Sequence, residues 1–156
     1  MRLTTLRQEE WEKVAPYIDT LCLPVYRITF SEKQIQLEER RIVEEVAERV
    51  EKALAGRLLL LPAITYEGGD DREVFRNYMN SVLSELLRSS FHHLVVVLPE
   101  DLAEAAEDRE RVMYHPLPVR DDATEEEIDG WSGALWKRII GLWQGMRDDI
   151  VSDEEV

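Results

Sequence analysis

Glu67, Gly68, Gly69, Asp70 and Asp71 form the segment of this chain best suited to chemistry. Two adjacent glycines allow a tight backbone path, and the carboxylates on either side are the oxygen ligands that a hard cation prefers. The same residues also suit a plainer role: Gly68-Gly69 make a turn, Asp70 caps the next helix, and Glu67 and Asp71 face water. Nucleotide chemistry finds less here. Gly68-Gly69 lacks the Gly-x-Gly-x-x-Gly spacing, and no P-loop lysine followed by Ser or Thr occurs. None of Ser31, Ser81, Ser84, Ser89 and Ser90 stands in a Gly-x-Ser-x-Gly elbow. Cys22, the single cysteine, lies in an apolar stretch that suits a packed thiol better than a nucleophile.

Three histidines complete the inventory. His92 and His93 are adjacent on a strand and so point to opposite faces, which prevents both from serving one metal. His115 and Glu67 would make an acid–base or single-metal site if their loops converged. Without that convergence they are structural, and no metal site or cofactor is expected.

The elements that must position these groups alternate in type. Thr5 with Gln8 has capping-box form and opens a short helix to Ala15. Val25–Thr29 is expected as the first strand, with Pro24 arguing for an irregular start or an edge. Ser31 with Gln34 repeats the capping signal before a long amphipathic helix that carries Ile35, Ile42, Val46, Val50 and Leu54 and closes at Gly56. Arg57–Pro62 reads as a strand covered on both faces and central in the sheet. A helix capped at Asp70 follows, running to about Ser90, and then the apolar strand His93–Pro99, also central. Glu100–Arg109 is a short helix, and Arg111–Val119, weakened by Pro116 and Pro118, is an edge strand. Thr124 with Glu127 opens the last helix, which heads towards Arg147.

Strands alternating with helices predict an α/β fold, a three-layer α/β/α sandwich on a mainly parallel sheet of about four strands with right-handed crossovers. Residues 1–150 make one domain and 151–156 a flexible acidic tail. Ligands in such sheets bind beyond the carboxyl ends of the strands, where strand order reverses. The candidate pocket is therefore Thr29, Ser31, Thr65, Glu67, Asp70, Asp71, Glu100 and His115, with Pro99, Asp101, Asp121 and Asp122 in the same loops.

Composition narrows the function classes. The 156 residues carry 19 basic and 33 acidic side chains, a formal charge of −14, which repels a phosphate backbone and anionic lipid surfaces. No nucleic acid and no membrane insertion are expected, since the longest apolar runs fall far short of the roughly 20 residues of a spanning helix. Met1 to Glu10 has no apolar core behind a basic head, and the lone cysteine suits a reducing compartment, so a cytoplasmic location is expected.

The last helix stands out. Trp131, Leu135, Trp136, Ile139, Ile140, Leu142, Trp143 and Met146 occupy about half its circumference, wider than the stripe that a helix lying on a sheet requires. Trp136, Ile140 and Trp143 are the candidate interface, docking on a protein partner or a second copy. The alternative is that a preceding loop, or the first helix through Trp11, covers them.

Tyr17-Ile18-Asp19-Thr20, Leu21 to Pro24, and Gly56-Arg57-Leu58-Leu59-Leu60-Leu61-Pro62 with Thr65-Tyr66 resemble the YpiF-type family of uncharacterised proteins from Bacillus-like bacteria, and the similarity in order and length covers most of the chain. The resemblance implies a cytosolic protein of unassigned activity, often encoded beside subunits of the menaquinol:cytochrome c reductase. Leu61-Pro62-Ala63-Ile64-Thr65-Tyr66-Glu67 also looks like the strand end that delivers a metal-binding glutamate in creatininase-like amidohydrolases, with Glu67 as the ligand. There, Gly69 stands where a histidine is expected. Two functions result: a non-enzymatic interaction or accessory protein docking through the C-terminal aromatic helix, or a small-molecule or metal-dependent hydrolase with its site at the strand ends.

Overall fold

The alternation of apolar side chains along each strand divides the interior into two cores. The computed structural model describes residues 1–67 and 71–154, with side chains up to 145. Gly68, Gly69, Asp70 and the side chain of Met146 thus lie outside the described residues. On β1 (Thr20–Arg27), Leu21, Leu23 and Val25 turn to one face, and Cys22 and Tyr26 to the other. The strands β4 (Leu58–Leu60) and β6 (His93–Pro99) divide in the same way: Leu59, Leu94, Val96 and Leu98 join the first set, while Leu58, Leu60, Val95 and Val97 join the second. Helices α2 (Glu38–Ala53) and α5 (Glu125–Glu154) cover one face. Helices α3 (Arg72–Leu87), α4 (Glu100–Ala105) and α1 (Gln8–Val14) cover the other. The result is a three-layer α/β/α sandwich, and each Leu, Ile or Phe shut between layers contributes about 1.5–3 kcal/mol.

All strands of the main sheet are parallel, in the order β4-β1-β6-β7, with β7 spanning Val112–Leu117 and β5 (Ile64–Tyr66) continuing beside β1 beyond the end of β4. Pro24 therefore sits within an inner strand spanning Thr20–Arg27, where sequence reasoning expected an irregular start or an edge and a strand at Val25–Thr29. The break between β4 and β5 explains it. The Cys22 carbonyl accepts from Leu61 N–H at 2.9 Å, so even-numbered residues of β1 direct their backbone groups to that side. Pro24, which has no N–H to offer, faces the gap at Leu61-Pro62-Ala63, where no strand waits to be paired.

Three expectations are corrected. Arg57–Pro62 is not central: β1 lies between β4 and β6, and the outer side of β4 meets only a bridge from Arg2 to Leu60. The first helix starts at Gln8 rather than Thr5, whose hydroxyl donates to the Arg2 carbonyl instead. The long helix starts at Glu38, and Ser31 and Gln34 lie on a hairpin of β2 (Thr29–Ser31) with β3 (Gln34–Gln36). Tertiary contact overrides the capping signal there, because the Glu39 carboxylate in the first turn of α2 accepts from both the backbone and the guanidinium of Arg27. The capping box at Thr124 does form, with Glu127 N–H donating to the Thr124 hydroxyl and Thr124 N–H to the Glu127 carboxylate, both at 3.2 Å. Among the described residues no helix is long and apolar enough to cross a membrane.

Candidate functional site

The chain leaves β1 through α2 on one face and reaches β6 through α3 on the other, so strand order reverses between β1 and β6. Their carboxyl ends form the crevice where such sheets take ligands. Arg27, the last residue of β1, fills it. Its guanidinium donates to Glu39 at 2.6 Å and lies 2.5 Å from Asp101, in the first turn of α4. Only 17% of the Arg27 side chain is exposed. Burial works against its charged form, but the hydrogen bonds and charges of Glu39 and Asp101 outweigh this and hold it above the ordinary arginine value.

Arg27 and Asp101 thereby separate two clefts. The smaller, about 130 Å³, is lined by Tyr66, Asp71, Arg72, Phe75 and Leu102. The larger, about 380 Å³, is lined by Thr29, Gln36, Glu38, Glu39, Val119, Arg120 and Asp121. Charges of the larger cleft are engaged by residues outside its lining: Glu38 holds Arg41 at 3.2 Å, and Arg120 pairs with Glu127 and, at 3.6 Å, with Asp122. Such a network positions three elements at the strand ends. An anion entering it must displace a protein partner from Arg27.

Of the residues expected in a pocket, Thr29 and Asp71 line these clefts. Asp71 caps α3, accepting from the N–H groups of Glu73 and Val74 at 3.1 and 3.2 Å, while its carbonyl accepts from Tyr66 Oη at 2.8 Å. The expected cap, Asp70, lies outside the described residues. Ser31 and Glu100 are exposed and line neither cleft. Thr65 is half-buried and donates to the exposed Glu67 at 3.4 Å.

His115 is carried elsewhere. It lies on β7, two strands from the β1–β5 pair, and its ring turns beneath α5, where Arg138 reaches Nδ1 at 2.8 Å. A guanidinium only donates, so Nδ1 accepts and the ring proton sits on Nε2. Burial, reinforced by the Arg138 charge, lowers this imidazole to about 4. His115 and Glu67 thus form no joint site. Among the described residues no group of three His, Cys, Asp or Glu side chains is placed to hold a metal ion.

The remaining reactive groups are quiet. Cys22 is fully buried, and burial pushes its thiol to about 12, far from a nucleophilic thiolate. His93 is half-buried, and its burial lowers it against the opposing charge of Asp19.

The aromatic residues of α5 separate into two kinds. Trp143 donates its indole N–H to Thr20 Oγ1 at 2.9 Å and lies under Arg57, 4.2 Å from the ring centroid. Trp131 and Ile140 pack against the core, whereas Trp136 is 40% exposed. Trp11 does not cover this helix. It belongs to the opposite face, 6.2 Å from Phe91.

Sequence reasoning missed Arg27, Glu39 and Arg120. Arg27 carried a usable signal, a charge closing the apolar run Leu21 to Tyr26, but the strand was expected to run on to Thr29 and in fact ends here. Glu39 carried none, because its place depends on where α2 begins.

No solved structure matches the chain. A protein of Bacillus subtilis (strain 168), "Uncharacterized protein YpiF", is 29% identical over 149 residues, covering 92% of this chain and 98% of the relative. The family described as "Protein of unknown function (DUF2487)" matches residues 9–128. With most of its length matched, including every strand of the sheet and the residues around Arg27, the chain belongs to this DUF2487, YpiF-type family.

Proposed function

We propose that the protein is a non-enzymatic interaction or accessory protein of the cytoplasm, docking through the outer flank of α5. The observation that carries this reading is Trp136. It is 40% exposed on a helix whose other tryptophans are committed to packing. Half-buried Ile140 follows at i+4, so the apolar side that Trp136 opens continues for one more turn of the helix. Large aromatic side chains are the usual anchors of protein interfaces. The strand-end crevice supports the same reading, since its charges are spent on one another across Arg27, Glu39 and Asp101.

The test is a photo-crosslinking amino acid placed at position 136 in the native host. The control site is Tyr78, which is 44% exposed on α3 at the opposite face. A discrete adduct from 136 and not from 78 is expected, and it should vanish when Gly133→Glu is added, an exposed position one turn earlier where an added Cβ meets nothing within 4 Å. Equal labelling at the two sites, or none at 136, removes the reading.

A further inference from the structure

The β2–β3 hairpin is mounted with its apolar side outward. Side chains alternate along each strand, so Phe30 and Ile35, direct cross-strand partners, share one face, and Thr29, Ser31, Gln34 and Gln36 share the other. Thr29 and Gln36 line the 380 Å³ cleft, which sets the polar face towards the body of the protein. Phe30 and Ile35 are 61% and 48% exposed, and Leu37 beyond them is 44% exposed. A two-stranded ribbon is marginal in water by itself, and this one turns its apolar pair away from the core that would shelter it. Among the described residues β2 and β3 pair only with each other, leaving each an outer edge of unpaired backbone groups.

Charge selects the occupant. Glu38, Glu39, Asp101 and Asp121 line the cleft beside the hairpin together with Arg27 and Arg120, four carboxylates to two arginines, and both arginines are already held by carboxylates. A second copy would bring another −14, and an anionic lipid surface would meet the same repulsion. We propose that the β2–β3 hairpin is a docking arm for a basic segment of another protein. The segment adds as an extended strand, with its apolar side chains on Phe30 and Ile35 and its Lys or Arg residues towards the acidic strand-end rim. This surface is separate from the α5 flank and stands without it.

The full-length isotope-labelled protein would be titrated by NMR with the synthetic peptide Lys-Val-Lys-Val-Lys-Val-Lys, with Lys-Ser-Lys-Ser-Lys-Ser-Lys and Glu-Val-Glu-Val-Glu-Val-Glu as controls. Saturable shifts centred on residues 29–37 and on the adjoining Glu38, Asp101 and Asp121 are expected for the first peptide, with roughly tenfold weaker binding of each control. Phe30→Ser and Ile35→Ser, each tested singly with its melting temperature checked against the parent, should abolish the shifts while leaving the fold intact. Equal binding of the Lys-Val and Lys-Ser peptides would overturn the proposal, as would shifts centred on α5. So would a concentration-dependent dimer that the Phe30→Ser change dissolves, or binding to neutral phosphatidylcholine vesicles, which would name a second copy or a lipid surface as the occupant.

Discussion

His115 is an imidazole kept neutral by its surroundings. It is 7% exposed on β7, and burial together with the adjacent Arg138 charge lowers it to about 4, against about 6.5 in an unfolded chain. A base whose folded value is depressed contributes stability that is fully present above its unfolded value and is lost as the pH falls towards its folded value. The affected window is therefore about pH 6.5 to 4, with a full extent on the order of 3 kcal/mol. His115→Gln keeps an acceptor for Arg138 but cannot titrate. Urea unfolding at pH 7 and pH 5 should show the parent losing about 2 kcal/mol more than this variant over that interval. An equal loss in both proteins would mean that His115 is not held neutral. Arg27 poses the complementary case, a charge kept by its partners rather than expelled, and it explains why the crevice between β1 and β6 is filled by protein.

At the scale of elements, α5 is fastened to the sheet by a closed circuit of side chains. Trp143 donates to Thr20, the Thr20 hydroxyl donates to Asp19 at 2.8 Å, Asp19 holds Arg57 at 2.8 Å, and Arg57 lies back over Trp143. Thr20 opens β1, so by Trp143 the helix has run the height of the sheet. Trp143→Phe removes the indole donor and part of the ring's packing and should cost about 1–2 kcal/mol, and Trp143→Ala about 3 kcal/mol, since the rest of its packing goes too. Trp136→Ser should stay within about 0.5 kcal/mol of the parent. Chemical denaturation of the three variants measures this, and a Trp136 change as costly as Trp143→Ala would place Trp136 in the core. The sequence placed all three tryptophans on one arc because periodicity reports which face a residue occupies, not which neighbour meets it. Parallel strands and layers were legible for the opposite reason: Leu58 to Leu61 and Leu94 to Leu98 lack polar alternation, and only burial on both faces accounts for that. Neither the Thr29–Gln36 hairpin nor the inner place of Pro24 was legible. One depends on a carboxylate reaching Arg27 from α2, the other on a neighbouring strand breaking opposite the proline.

Over the whole molecule, two electrostatic terms of opposite sign compete. The excess of 33 acidic over 19 basic side chains gives a charge of −14, and compacting that charge costs more than spreading it along an unfolded chain. Against this stand the ion pairs. The exposed ones, such as Arg88–Glu85 and Arg72–Glu104, are worth about 0–1 kcal/mol each. The pairs around Arg27 are only 17–18% exposed on the Arg27 and Glu39 side chains, so salt screens them weakly. Raising NaCl from about 10 mM to about 200 mM shrinks the screening length from roughly 30 Å to below 10 Å. That reaches the long-range repulsion first and the contact pairs last. Repulsion therefore dominates the response, and the melting temperature should rise with salt, by roughly 5 °C over this range. Scanning calorimetry at fixed pH 7 decides the matter. A melting temperature that falls with NaCl would mean that the Arg–carboxylate network, and not relief of the acidic surface, sets the stability of the fold.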